Sequence, residues 1–169
     1  MAKVLVVYAS RYGATEEIAD VIAEELGALG AEAQTCPVEE ARDLDGYDAV
    51  VVGSAVYHGR WLDEARQFVH VHREDLASRP TWLFSSGPIG GTASAEADLA
   101  RKCGLDTPVP GRLSSVAQRM GVRGHATFGG RIGEGATGML ARWMPRGDWR
   151  DMDQVRAWAG RIGGGLPAA

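Results

Sequence analysis

Residues 4–15 read Val4-Leu5-Val6-Val7-Tyr8-Ala9-Ser10-Arg11-Tyr12-Gly13-Ala14-Thr15, and this stretch decides the fold. Its first five residues are an unbroken aliphatic and aromatic run, rich in β-branched valine. An alternating strand keeps one face in water, whereas an unbroken run suits a parallel strand covered on both faces. A short glycine-containing loop follows, and Ile18, Ile22, Leu26 and Leu29 then recur at the spacing of one helix face. Gly30 stands where a helix C′ residue is expected.

The alternation continues outward from this unit. Residues 32–38 suit a second strand, and Asp48 to Ser54 a third. After a loop at 55–60, a helix is expected to about residue 76, with Leu62, Ala65, Phe68, Val69 and Leu76 inward. Pro80 opens a fourth strand, Thr81 to Ser85, and a fifth lies near His125 to Phe128. A last helix carries Met152, Val155, Trp158, Ala159 and Ile162 on one side. Such alternation predicts an α/β three-layer sandwich: a five-stranded parallel sheet, order 2-1-3-4-5, with right-handed crossovers. Residues 1–169 are expected to form a single domain. Two stretches are less regular. Residues 87–122 contain Gly, Pro and Ser clusters around two short helices, at about 94–103 and 113–120, while 129–150 is glycine-rich and then basic.

Composition excludes several classes of function. A formal net charge of −4 leaves no basic excess to neutralise phosphates, so no nucleic-acid partner is expected. The two cysteines, Cys36 and Cys103, form no CxxC pair, which leaves a zinc site or a thioredoxin-like redox pair unsupported. Nothing near Met1-Ala2-Lys3 reads as a signal peptide, and no apolar run approaches the ~20 residues of a spanning helix. A cytoplasmic protein is expected.

In an open α/β sheet, ligands bind beyond the carboxyl ends of the strands, where the strand order reverses. The loop after strand one is Ser10-Arg11-Tyr12-Gly13-Ala14-Thr15. It offers two hydroxyls, a glycine for close approach, and a helix N-terminus that favours a phosphate. This loop matches neither GxxxxGK[ST] nor GxGxxG, which disfavours a nucleoside triphosphatase. The plainer reading is a tight turn with Thr15 as its cap. Glu16 and Glu17 suit a first helical turn but would repel a phosphate they faced. After strand three come Ser54, Ala55, Val56, Tyr57, His58, Gly59, Arg60 and Trp61. Tyr57 and Trp61 can stack on a flat aromatic ring, and Gly59 admits close backbone approach; equally, the two aromatics would serve as packing residues. After strand four, Ser85, Ser86, Gly87 and Gly90 supply backbone donors or simply a turn. His58 is the single weak candidate for tuning or proton transfer, and no other catalytic group stands out. His70 and His72 are two apart on a helix and make a poor metal pair, so no metal is expected.

With these loops in place, the chain resembles the FMN-binding flavodoxin-domain proteins, in particular the branch that includes the menaquinone-dependent protoporphyrinogen IX dehydrogenases. The first loop resembles the flavodoxin phosphate loop [TS]xTGxT, with Tyr12 replacing the middle hydroxyl residue. The likeness runs through Ser10 to Ala19, Tyr47-Asp48, Val51 to Ser54, Tyr57-His58-Gly59, Phe68-Val69 and Gly147 to Met152. It implies a flavodoxin-like fold and an FMN-dependent oxidoreductase that passes electrons from a tetrapyrrole precursor to a quinone, the flavin itself doing the redox chemistry. The family's basic and hydrophobic insertion before the last helix corresponds here to a shorter stretch, Gly129 to Arg150. Its Met139, Leu140, Arg142, Trp143, Met144, Arg146 and Arg150 would suit an element packed over the core. Within 136–150 they would equally suit peripheral contact with the inner face of a membrane, a substrate or a second subunit in a homodimer. An electron-transfer protein docking on a redox partner is the alternative, disfavoured by the modest charge. A binding module without flavin is the third.

Overall fold

The computed structural model describes residues 1–87, 109, 113–132, 147–148 and 150–168. Five strands run parallel: β1 (Lys3–Ala9), β2 (Glu32–Pro37), β3 (Ala49–Tyr57), β5 (Thr81–Gly87) and β6 (Gly124–Gly129). Their order is β2-β1-β3-β5-β6, which is 2-1-3-4-5 when the parallel strands alone are counted, as expected. Two shorter pairings were not anticipated. A two-residue strand β4 (Arg60–Trp61) folds back antiparallel on the end of β3, and β7 (Arg131–Ile132) pairs antiparallel with β8 (Gly147–Asp148) apart from the main sheet.

The sheet is covered on both faces, as the continuous apolar runs require. Val4 and Val6 of β1 point to one side, against Ile18, Ile22 and Leu26 of α1 (Ala14–Ala28) and Val155, Trp158 and Ile162 of α5 (Met152–Gly164). Leu5 and Val7 point to the other side. There they meet Phe68 and Val69 of α2 (Asp63–Val71), Leu76 of α3 (Arg73–Ala77), and Ala117 and Met120 of α4 (Leu113–Met120). Asp151 caps α5, its carboxylate accepting from the amides of Asp153 and Gln154 at 3.0 and 3.3 Å.

Three local expectations are corrected. The helix expected to run to residue 76 breaks at His72, whose backbone (φ −94°, ψ 16°) leaves the helical region. The break turns α3 so that Leu76 seats fully in the core while its carbonyl accepts from Thr81 Oγ1 at 2.8 Å. Leu29 does not join the apolar face of α1: the helix ends at Ala28, and Leu29 is its exposed cap residue. Thr15 is not the cap of α1, because Gly13 takes that position. Of the segments read as irregular, α4 stands where a short helix was expected. The other short helix (94–103), Gly90, and Met139, Leu140, Arg142, Trp143, Met144 and Arg146 lie outside the described residues.

A close approach inside the upper sheet fixes one glycine. A Cβ built on Gly53 of β3 would lie 2.0 Å from Phe84 Cζ, because that ring crosses the strand to pack edge-on against Trp158. Phe84 is fully buried and has no room to yield. Gly53→Ala should therefore destabilise the fold by about 2 kcal/mol, within the range for overpacked cores. Chemical denaturation of the two proteins side by side measures it.

Candidate functional site

The carboxyl ends of the strands finish level. Ala9 of β1 lies beside Ser54 of β3, Ser54 beside Ser85 of β5, and Ser85 beside Thr127 of β6. The loops beyond them thus rise from one floor, at the edge where the sheet order reverses between β1 and β3.

On the β1 side, Gly13 adopts a left-handed backbone (φ +82°) that turns the chain directly into α1. Its amide donates to Ser10 Oγ at 3.0 Å, and its carbonyl receives the first helical hydrogen bond, from the Glu17 amide at 3.1 Å. No side chain caps this helix. Its first amides, at Ala14, Thr15 and Glu16, have no acceptor within the helix, and the helix dipole adds positive potential there. Thr15 sits in that turn and is only 1% exposed. Among the described residues, its Oγ1 is the one buried side-chain polar atom that meets no hydrogen-bond partner. A buried hydroxyl in that condition is costly unless something binds to it.

On the β3 side, Tyr57, His58, Gly59 and Arg60 form a two-residue hairpin with both central residues at positive φ (+51° and +72°). Tyr57 is 38% exposed at its base, and the Arg11 guanidinium lies over its ring, 5.4 Å from the centroid. Partial burial raises the Tyr57 hydroxyl's pKa; nearby Tyr12 adds to the rise and Arg11 opposes it. Tyr12 is likewise exposed on this rim.

Beneath the rim is a buried polar floor. Ser54 Oγ accepts from the Leu62 amide at 3.0 Å and donates to the Ala55 carbonyl at 2.8 Å. Trp61 is 3% exposed, with its indole N–H on Ser85 Oγ at 2.8 Å, and Ser85 Oγ is 2.8 Å from His125 Nε2. The indole can only donate, so Ser85 accepts there and its own proton is left for His125. Of the residues singled out from the sequence, Ser10, Arg11, Tyr12, Gly13, Tyr57, His58 and Gly59 line the accessible rim. Ser54, Ala55, Trp61, Ser85 and Ser86 are buried below it, and Val56 and Gly87 lie between, packed on each other.

Sequence reasoning flagged Glu17 and Arg150 separately and missed that they meet, together with Arg131 and Asp148. Glu17, in the first turn of α1, pairs with Arg131 of β7 at 3.3 Å and with Arg150 just after β8. Arg150 also grips Asp148, through Nε at 2.8 Å and Nη2 at 2.6 Å, and Arg131 donates to the Tyr12 carbonyl at 3.4 Å. The Arg150 hydrogen bonds bring the Asp148 carboxyl down to about 2 and push the guanidinium's own pKa up. The sequence signals were the carboxylate of Glu17 and the Gly147 to Met152 stretch, and neither carries a hint of its partner across the fold.

The flavodoxin-domain family model matches residues 5–144. The chain belongs to that family. Among solved structures, a flavodoxin from an archaeon superposes with a TM-score of 0.61 at 15% identity, covering 96% of this chain and 97% of that one. The Streptococcus pneumoniae flavodoxin gives 0.60 at 20%, covering 98% and 100%. The quinone-linked protoporphyrinogen IX dehydrogenase of Escherichia coli K12 is 34% identical over 85 residues, 49% of this chain and 47% of that protein. The quinone-type NAD(P)H dehydrogenase of Gluconacetobacter diazotrophicus is 32% identical over a match spanning 40% of this chain and 45% of that one. The chain therefore spans about half the length of the curated relatives it matches.

This flavodoxin domain is an FMN-binding domain, and the first loop fits the cofactor's phosphate. With left-handed Gly13 turning the chain, three helix-start amides and the orphaned Thr15 hydroxyl make a donor set suited to an anion's oxygens.

Two outcomes follow. Thr15→Val keeps the shape and removes the unpartnered hydroxyl. The cofactor-free variant should be at least as stable as wild type, while its FMN affinity, read by fluorescence quenching, should fall about tenfold. The second concerns Asp148. Its folded-state pKa lies below the usual 3.8, so its pairing with Arg150 stabilises above that value and is lost as pH falls toward 2. Asp148→Asn should accordingly lower Tm at neutral pH, with the gap to wild type closing between pH 4 and 2 in thermal melts.

Proposed function

We propose that this domain is an FMN-dependent, quinone-linked oxidoreductase of the protoporphyrinogen IX dehydrogenase type. The observation that carries the reading is the buried, unpartnered Thr15 hydroxyl at the amide-rich start of α1. The substrate side is supported by relatives whose names, in both groups, specify a quinone.

In this reading the Ala14, Thr15 and Glu16 amides and Thr15 Oγ1 would donate to phosphate oxygens. Ser10 Oγ accepts the Gly13 amide and keeps its own proton to offer, and Arg11 adds charge at the loop's outer edge. Tyr57 supplies the ring face for stacking, flanked by Tyr12. The backbone of His58 and Gly59 on the hairpin, and of Ser86 and Gly87 at the end of β5, borders the ring's polar edge. Ser54, Trp61 and Ser85 hold these loops from below. Bound FMN supplies the two-electron chemistry that protein side chains lack. Among the described residues no helix is long and apolar enough to cross a membrane.

Purified protein loaded with FMN and freed of excess should show bands near ~370 and ~450 nm at about one flavin per chain. It should then oxidise protoporphyrinogen with a menaquinone analogue as acceptor and no protein partner. Failure to retain flavin overturns the proposal. Turnover that requires a partner reductase would make the domain an electron carrier instead.

A further inference from the structure

The first turn of α1 poses an electrostatic problem. A phosphate dianion at the helix start would find two carboxylates, Glu16 and Glu17, within the same turn, and like charges there oppose anion binding. The structure resolves each of them differently. Glu16 accepts from the Tyr8 hydroxyl at 3.0 Å, within the same βα unit. Glu17 is met from far along the chain, by Arg131 and Arg150 on the β7–β8 ribbon. The Arg150 side chain is 6% exposed, far less than its partners Glu17 (46%) and Asp148 (47%). It is therefore a fixed group, held by two carboxylates. Arg131 also reaches the Tyr12 carbonyl, one residue before the left-handed Gly13. Two arginines and two carboxylates make the quartet Glu17, Asp148, Arg131 and Arg150 neutral as a whole.

We infer that the β7–β8 ribbon is a charge clamp for the cofactor's phosphate: Arg150 and Arg131 neutralise Glu17 and steady the phosphate loop, making them positioning residues for FMN. This rests on the FMN reading of the loop. The clamp touches the helix turn and the loop carbonyl, and it acts on phosphate affinity through Glu17. Its effect should therefore be confined to ligands that carry the phosphate.

The test compares FMN with riboflavin, which keeps the ring and lacks the phosphate, by fluorescence titration of wild type and four variants. Arg150→Ala should weaken FMN about tenfold and leave riboflavin unchanged. Glu17→Gln should tighten FMN by roughly threefold, the effect of removing one like charge from a helix start. The double variant Arg150→Ala/Glu17→Gln should recover FMN affinity to near wild type. If Arg150→Ala fails to fold, Glu17→Gln and the more exposed Arg131→Ala still decide the matter, the latter weakening FMN alone. Equal losses for FMN and riboflavin, or weaker FMN binding in Glu17→Gln, would overturn the clamp and leave a merely structural ribbon. A wild type that binds riboflavin no worse than FMN would instead overturn the phosphate assignment of the loop, and the clamp with it.

Discussion

Everything at the rim depends on β1 being buried on both faces. A parallel ladder with Val4, Leu5, Val6 and Val7 all within 2% of full burial cannot leave a side to water, so helices must cross above and below it. Right-handed crossovers then return every strand in the same direction. Because β1 is followed by a neighbour on one side and later by β3 on the other, its loop and that of β3 diverge and leave a crevice between them. The level register of Ala9, Ser54, Ser85 and Thr127 turns those separate loops into one surface. The site is a consequence of how the core must be covered.

Within that frame, the charge of the phosphate loop is set over two ranges. Gly13, Ser10 and the helix start are local, separated by a few residues and fixed by backbone geometry. The neutralisation of Glu17 comes from residues more than a hundred positions away, on a ribbon outside the main sheet. A local pattern proposes an anion site, and a distant pair of guanidinium groups decides how strongly negative its border is. Burial of Arg150 matters here, since an exposed pair would contribute little after screening and side-chain entropy.

This division explains what the sequence disclosed. The apolar runs of β1, β3 and β5 and the faces of α1 and α5 are one-dimensional patterns, so the strand order and layers were legible. The first loop was legible as a candidate anion site because glycine, hydroxyls and a helix start lie within six residues. The roles of Trp61 and Ser85 were not. Whether Trp61 stacks on a ligand or packs inward depends on Ser85 and His125, and nothing in the residues around Trp61 names those partners. The 57–60 hairpin was also hidden, because its turn uses histidine at positive φ where asparagine or aspartate would have given the signal. The break at His72 was hidden too, since Phe68, Val69 and Leu76 fit one uninterrupted helix equally well in periodicity.

The hairpin shows how a strained element is kept. A non-glycine residue in the left-handed region costs on the order of 1 kcal/mol, and His58 is the one such residue among those described. The turn it makes carries Trp61 back under the sheet edge, where the indole's hydrogen bond to Ser85 is fully buried and Ser85 is satisfied in turn by His125. Breaking that chain would leave buried donors unpaired, at about 1–3 kcal/mol for each. The floor therefore outweighs the strain above it, and the hairpin keeps Tyr57 at the rim.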